Sequence, residues 1–281
     1  MSRAIEISKI NQLAPMSVSA LRLIQLSSRA EVALQEVVEI VEYDSALTAN
    51  LLRWANSAWS GNQKPIASVR DAIVRLGRDT LLQVAVGHCL AGPLKKRMPA
   101  YALAEEELWL HGIVSGLTVK CLQAKPGIGT DPMVFTAALL HDIGKLLLAQ
   151  YLSEDLLGRI FHVIQVGQVS YFEAEQEVLG TNHAKVGSDI ARYWKFPDAL
   201  AEAIERHHDQ TSAQDHILDM IQVANAVSKI IGIGLGTEQM NVHTSARILR
   251  RLGLDFPGLE AVCVEVQDKL VLERTRWSDV S

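Results

Sequence analysis

Apolar positions recur with helical period along almost the whole chain. In "SVSALRLIQLSS" they fall at Val18, Leu21 and Ile24, with Leu23 and Leu26 beside them. In "EVALQEVVEIVEY", Val37, Ile40 and Val41 share one face. The polar positions between these runs read as helix starts and stops. Ser68 followed by Asp71 in "SVRDAIVRLG" is an acidic capping start, and Gly77 is a suitable stop. Ser170 and Glu173 have capping-box spacing in "SYFEAEQEVLG", which closes on Gly180. Pro132 lies near the start of the helix expected to carry His141, and Pro197 opens "PDALAEAIERHHD", where a first-turn proline is tolerated. No run alternates with period two between hairpin turns, so the pattern predicts an all-α protein. "IIGIGLG", Ile230 to Gly236, lacks the full GxGxxG pattern and a preceding strand, and is read as a helix end and loop.

Two stretches interrupt the helical pattern. "AGPLKKRMPA", Ala91 to Ala100, has two prolines and a basic run, and "QAKPGIGTDP", Gln123 to Pro132, is rich in glycine and proline. The first divides the chain into an N-terminal helical part, 1–98, without clustered histidines, and a helical part, 99–281, that holds most of them. The 281 residues are enough for a well-buried core shared by both parts.

Composition narrows the function classes. A net charge of -5 argues against a generally basic nucleic-acid binder, so no nucleic-acid partner is expected. The short basic run "LKKRM" reads as a solvated linker. The opening "MSRAIEISKINQLAP" shows neither an apolar signal core nor a small-residue cleavage site, and no apolar run is long enough for a membrane span. Cys89, Cys121 and Cys263 are far apart and form no CxxC pair, as in a reduced cytoplasmic protein.

The candidate chemistry lies in the second part. "LLHDIGKLLLAQY" sets His141 and Asp142 side by side in an apolar run, with Lys145 three residues on. A carboxylate is seldom buried unless paired or ligated. Glu107 and His111 in "EEELWLHG" share a helix face, His183 opens "NHAKVGSDIARYW" with Gly187 leaving room for close approach, and His207 and His208 end "LAEAIERHHD". Imidazoles and carboxylates together suit Fe, Mn, Zn or Ni. Taken singly, each element has a plainer reading: a solvated Glu-His pair, a cap, or histidines complementing a helix dipole.

The ordered set, Glu-x-x-x-His, HDIGK, a His at a helix start and then His-His, resembles the HD superfamily of metal-dependent phosphohydrolases, with spacing similar to the HD-GYP phosphodiesterases. The resemblance places Glu107, His111, His141, Asp142, His183, His207 and His208 on metal-ligand positions and Lys145 on the lysine that assists at the phosphate. Asp142 and Lys145 are thereby the implied catalytic pair, around one or two divalent ions per chain. Two departures stand out: Asn225 in "IQVANAVSKI" occupies the last ligand position, where the pattern has Asp, and the GYP segment is missing. Asn offers one neutral carbonyl oxygen in place of a charged carboxylate, so the nearest ion should be held more weakly. "LAPMSVSALRLIQLSS", "DSALTANLLRWANSA" and "PIASVRDAIVRLG" resemble the HDOD domain, over roughly residues 8 to 230. That resemblance implies a bacterial cytoplasmic signalling module whose metal is structural or weakly catalytic, acting on a signalling protein partner or nucleotide. The alternative is a phosphohydrolase of a nucleotide or cyclic dinucleotide.

Trp54, Asn56 and Trp59 read either as a core stripe with a polar cap or as a docking surface. The amphipathic "GLEAVCVEVQDKLVLE" either packs on the core or supports a homodimer, and His88, His162, His216 and His243 receive no role.

Overall fold

The computed structural model describes residues 17–278 except 28, 30–31, 58–65, 210–214 and 239–244. Trp59 and His243 lie outside the described residues. The N-terminal helices are α1 (Val18–Ser27), α2 (Leu34–Glu42), α3 (Ser45–Ser57), α4 (Val69–Leu76) and α5 (Arg78–Leu94). They are followed by α6 (Glu107–Gln123), α7 (Pro132–Leu140), α8 (Gly144–Leu148), α9 (Glu154–Gly167), α10 (Tyr171–Leu179), α11 (His183–Tyr193) and α12 (Asp198–Glu205). The chain closes with α13 (His216–Ile230), α14 (Ala246–Arg251) and α15 (Phe256–Ser278). Among the described residues no strand forms, and an isolated bridge pairs Met98 with Leu103. The all-α expectation holds, and no described helix is long and apolar enough to cross a membrane.

Local chemistry sets the boundaries. The Ser68 hydroxyl accepts from the Asp71 N–H at 3.0 Å, and Gly77 ends α4 with a φ of 83°. Ser170 and Glu173 form a complete capping box on α10. The first interruption is shorter than the prolines suggest. Helix α5 continues to Leu94, because a proline in the last turn removes only one helical hydrogen bond.

Helix α7 is almost wholly apolar, α6 is buried on nearly all faces, and the two form the buried centre. Helix α13 packs on both, α15 on α6, and α1 and α5 reach α7 from the N-terminal side. The core runs unbroken from Ala20 to Leu270, and the Ser27 and Thr136 hydroxyls meet at 3.1 Å between α1 and α7. Trp54 is buried in this core, and the Asn56 amide clamps the Ile66 backbone on both its N–H and C=O. Helix α15 buries Leu259, Val262 and Val266 against the core.

Candidate metal centre

The apolar helix that was expected to carry His141 stops one residue short of it. Helix α7 ends at Leu140, and i→i+3 bonds from Ile143 to Leu140 and from Lys145 to Asp142 carry the chain round to α8. The turn fits because α11 crosses there at minimal distance. A Cβ on Gly144 would sit 1.9 Å from the His183 carbonyl oxygen, and one on Gly187 would sit 2.9 Å from Ile204. Asn182 caps α11 by accepting from the Lys185 N–H at 2.8 Å, which sets His183 at the helix start.

These elements bring six of the candidate side chains together. His111, His141 and Asp142 form one group of potential ligand atoms, and His183, His207 and His208 form a second. Asp142 lies between them. Its Oδ2 is 3.6 Å from His111 Nε2 and 3.5 Å from His141 Nε2. Its Oδ1 is 3.4 Å from His183 Nε2 and 3.8 Å from His207 Nε2.

The far nitrogens are tied down. His111 Nδ1 faces the Ile233 carbonyl at 3.1 Å, and His141 Nδ1 and His207 Nδ1 face the Ala138 and Ile204 carbonyls, each at 2.7 Å. A carbonyl only accepts, so these Nδ1 atoms carry the protons and the Nε2 atoms present lone pairs inward. His111 Nε2 and His141 Nε2 are 3.2 Å apart with no proton between them, and buried His207 Nε2 has no hydrogen-bond partner. Two nitrogens bound at about 2.1 Å to one ion at right angles would stand about 3 Å apart. Converging lone pairs, an orphaned imidazole nitrogen and a shared carboxylate fit a divalent cation.

Electrostatics agree. Burial, with neighbouring imidazoles, pushes His111 down to about 4 and His207 well below the usual histidine range. Burial likewise lowers His141, and burial and the nearby His183 lower His208. Neutral imidazoles are the form that ligates metal. Asp142 is buried, which favours the neutral acid, but the Lys145 ammonium outweighs this and holds it ionised. His183 is the exception. Burial opposes its charge, yet the Glu175 carboxylate wins and raises its pKa. Glu175 is fully buried and accepts from His183 Nδ1 at 2.7 Å, from the His183 N–H at 2.9 Å and from the Tyr101 hydroxyl at 2.6 Å. Such outer carboxylates orient a metal-ligating imidazole.

The other candidate positions sit differently. Glu107 Oε2 turns back to accept from the Ala104 N–H at 2.7 Å at the start of α6, and Glu107 is in neither group. Spacing alone could not show that a first-turn carboxylate would find this local partner. Asn225 lies on α13 one turn before Ser228, whose hydroxyl touches the His111 carbonyl at 3.4 Å. The Asn225 carbonyl oxygen is buried without a hydrogen-bond partner. Lys145 is buried and donates to Asp142 at 2.8 Å and to Glu238 at 2.6 Å. Sequence reasoning missed Glu175, Tyr101, Glu238 and Lys229. The two carboxylates carry no local signal, one lying inside a capped amphipathic helix and the other just beyond the glycine loop.

The HDOD domain profile matches residues 13–210. The fold superimposes on an HDOD domain protein of unknown function from Geobacter sulfurreducens with a TM-score of 0.71 and 22% identity, covering 97% of this chain and 96% of that one. An uncharacterized protein of Treponema pallidum is 22% identical over 198 residues, 68% of this chain and 36% of its own length. Ribonuclease Y of Thermobifida fusca is 27% identical over 191 residues, 66% of this chain and 31% of its own. The chain thus spans about a third of the length of these two relatives.

Proposed function

The chain belongs to the HDOD domain family, and from that premise we propose that it is a bacterial cytoplasmic signalling module with a divalent metal centre that is structural or at most weakly catalytic. One observation carries this reading: three inward-facing imidazole lone pairs converge on one buried carboxylate, Asp142. His111, His141 and Asp142 would hold one ion and His183, His207 and His208 a second, with Asp142 between them. A divalent ion there supplies Lewis acidity toward a phosphate oxygen or water. Fe, Mn, Zn and Ni all suit the donor set.

The residues around the centre favour holding over turnover. His141 and His183 are fully buried, which restricts access to the donors. Lys145, the cation best placed to steady a phosphoryl group, is committed to Asp142 and Glu238. The module would signal through a protein partner or nucleotide, with a homodimer through α15 as one mode of assembly and no membrane or nucleic-acid role.

A second reading, a metal-dependent phosphohydrolase of a nucleotide or cyclic dinucleotide, draws on the placement of Lys145 beside Asp142 and on the likeness to Ribonuclease Y. In that reading Asp142 orients the attacking water and Lys145 offsets developing charge on phosphorus.

Elemental analysis of the purified protein tests both readings. Metal near one or two ions per chain, lost in Asp142→Ala, is expected. Metal-free wild-type protein sinks both. Metal with no turnover of generic phosphodiesters or cyclic di-GMP sinks the hydrolase.

A further inference from the structure

Beside the metal centre, two buried lysines converge on one carboxylate. Lys145 Nζ reaches Glu238 Oε1 at 2.6 Å, and Lys229 Nζ reaches Glu238 Oε2 at 2.5 Å. The lysines are 4% and 6% exposed, and they come from α8 and α13, far apart in sequence. Two ammonium groups drawn out of water onto one site make a receptor for an anion with several oxygens. Glu238 fills it with a single carboxylate, one oxygen to each lysine.

Glu238 reaches the site on segment 231–238, which lies tightly against the centre. Gly234 has a φ of 66°, and a Cβ there would sit 2.7 Å from His111 Cβ. Gly236 has a φ of 46°, and a Cβ there would sit 2.2 Å from the Tyr101 carbonyl oxygen. Only glycine accepts both the left-handed backbone and the missing space. The Ile233 carbonyl on the same segment accepts from His111 Nδ1 at 3.1 Å. The segment that orients one candidate ligand therefore also delivers the carboxylate.

The family resemblance already sets a phosphate at Lys145; the geometry points further, to Lys229 as a second cation of that subsite and to the Glu238 carboxylate as an internal competitor seated between the two. A phosphate group places oxygens on both ammonium groups as the carboxylate does, and it carries the greater charge. When it enters, Glu238 leaves and segment 231–238 moves away from His111. The ligand is thus a small phosphate-bearing molecule, and its arrival is reported by a change at the segment covering the centre. This deepens the reading of the metal centre given above and rests on it for the ligand's place beside the ions.

The test uses inorganic phosphate with wild-type protein, Glu238→Gln and the double variant Glu238→Gln/Lys229→Gln, with metal content measured on each. Glu238→Gln keeps the shape and removes the competing charge. It should bind phosphate about tenfold tighter or more in calorimetry, as when a binding-competent state is released from a minor population. The double variant should lose that gain. In wild-type protein, saturating phosphate should speed hydrogen exchange at the amides of 234–238, a readout that does not depend on the variants folding. Unchanged or slower exchange there overturns the proposal, as does no gain in Glu238→Gln or a gain that survives loss of Lys229. A drop in metal content in Glu238→Gln also overturns it, by making Glu238 a servant of the ion. Metal-free wild-type protein would fail the metal reading alone, because phosphate binding and exchange are read separately.

Discussion

The helices before α6 and those from α6 onward are built from similar apolar runs, yet they bury different things. Among the described residues of α1 to α5, Ser27 is the buried residue with a hydroxyl, amide or charged side chain. From α6 onward the interior holds His111, His141, Asp142, Lys145, Glu175 and His183, with more besides. Burying a polar group costs free energy unless it is paired. The first region behaves as a scaffold whose stability comes from apolar area. The second gives up part of that stability to keep a cluster whose groups are satisfied by one another and, in our reading, by metal.

Acid should separate the regions most. In metal-free protein, His111, His141, His207 and His208 all have folded pKa values below the histidine range. The unfolded chain takes up these protons near pH 6.5 while the folded chain does not, so stability falls as pH drops below about 6.5, by about 1.4 kcal/mol per unit for each proton. For His111 the loss continues down to about 4. His183, raised, works in the opposite sense and at higher pH: its contribution is complete below about 6.5 and is lost as pH rises through its folded pKa, so it does not offset the acid loss. Denaturant melts from pH 7.5 to 5 check this, and hydrogen exchange should show α6 to α13 opening before α1 to α5. Stability flat across that range would erase the contrast.

Leu51→Ala tests the scaffold from the other side. Leu51 is fully buried in α3, and the cavity should cost about 2–5 kcal/mol. Metal per folded chain should stay as in wild type, measured after refolding in stoichiometric metal. A matching loss of metal would show that the regions are not separable in this way.

A finer cut is Glu175→Gln, which leaves the apolar core intact and removes the negative charge behind His183 Nδ1 while keeping an amide oxygen that can accept from it. Metal affinity should fall by about 10- to 100-fold, read by chelator competition. The smallest effect belongs to Ser68→Ala, which removes the α4 cap at a cost of about 1 kcal/mol and should leave metal affinity untouched.

Much of this was legible beforehand, and the misses have local causes. The caps at Ser68 and Ser170 were readable because each acts within three residues of itself. His111, His141, Asp142, His183, His207 and His208 were readable as an ordered set, and the fold brings them together. Glu107 shares a face with His111 as its spacing requires, but the Ala104 N–H took its carboxylate. "IIGIGLG" was readable as a loop, but not as the strap that seats Glu238 between two lysines.

By itself the sequence determined the helical period, the capped helix ends at Ser68, Gly77 and Ser170, and the family, because these depend on neighbours a few residues apart and on a motif kept in order. Only the tertiary structure decided which charges meet. Asp142 faces histidines from four separate segments, and Glu238 faces lysines from two, at 93 and 9 residues' separation. Those meetings depend on how closely α6, α7, α8, α11 and α13 approach, which glycines such as Gly144 and Gly187 permit at distances that no local pattern encodes.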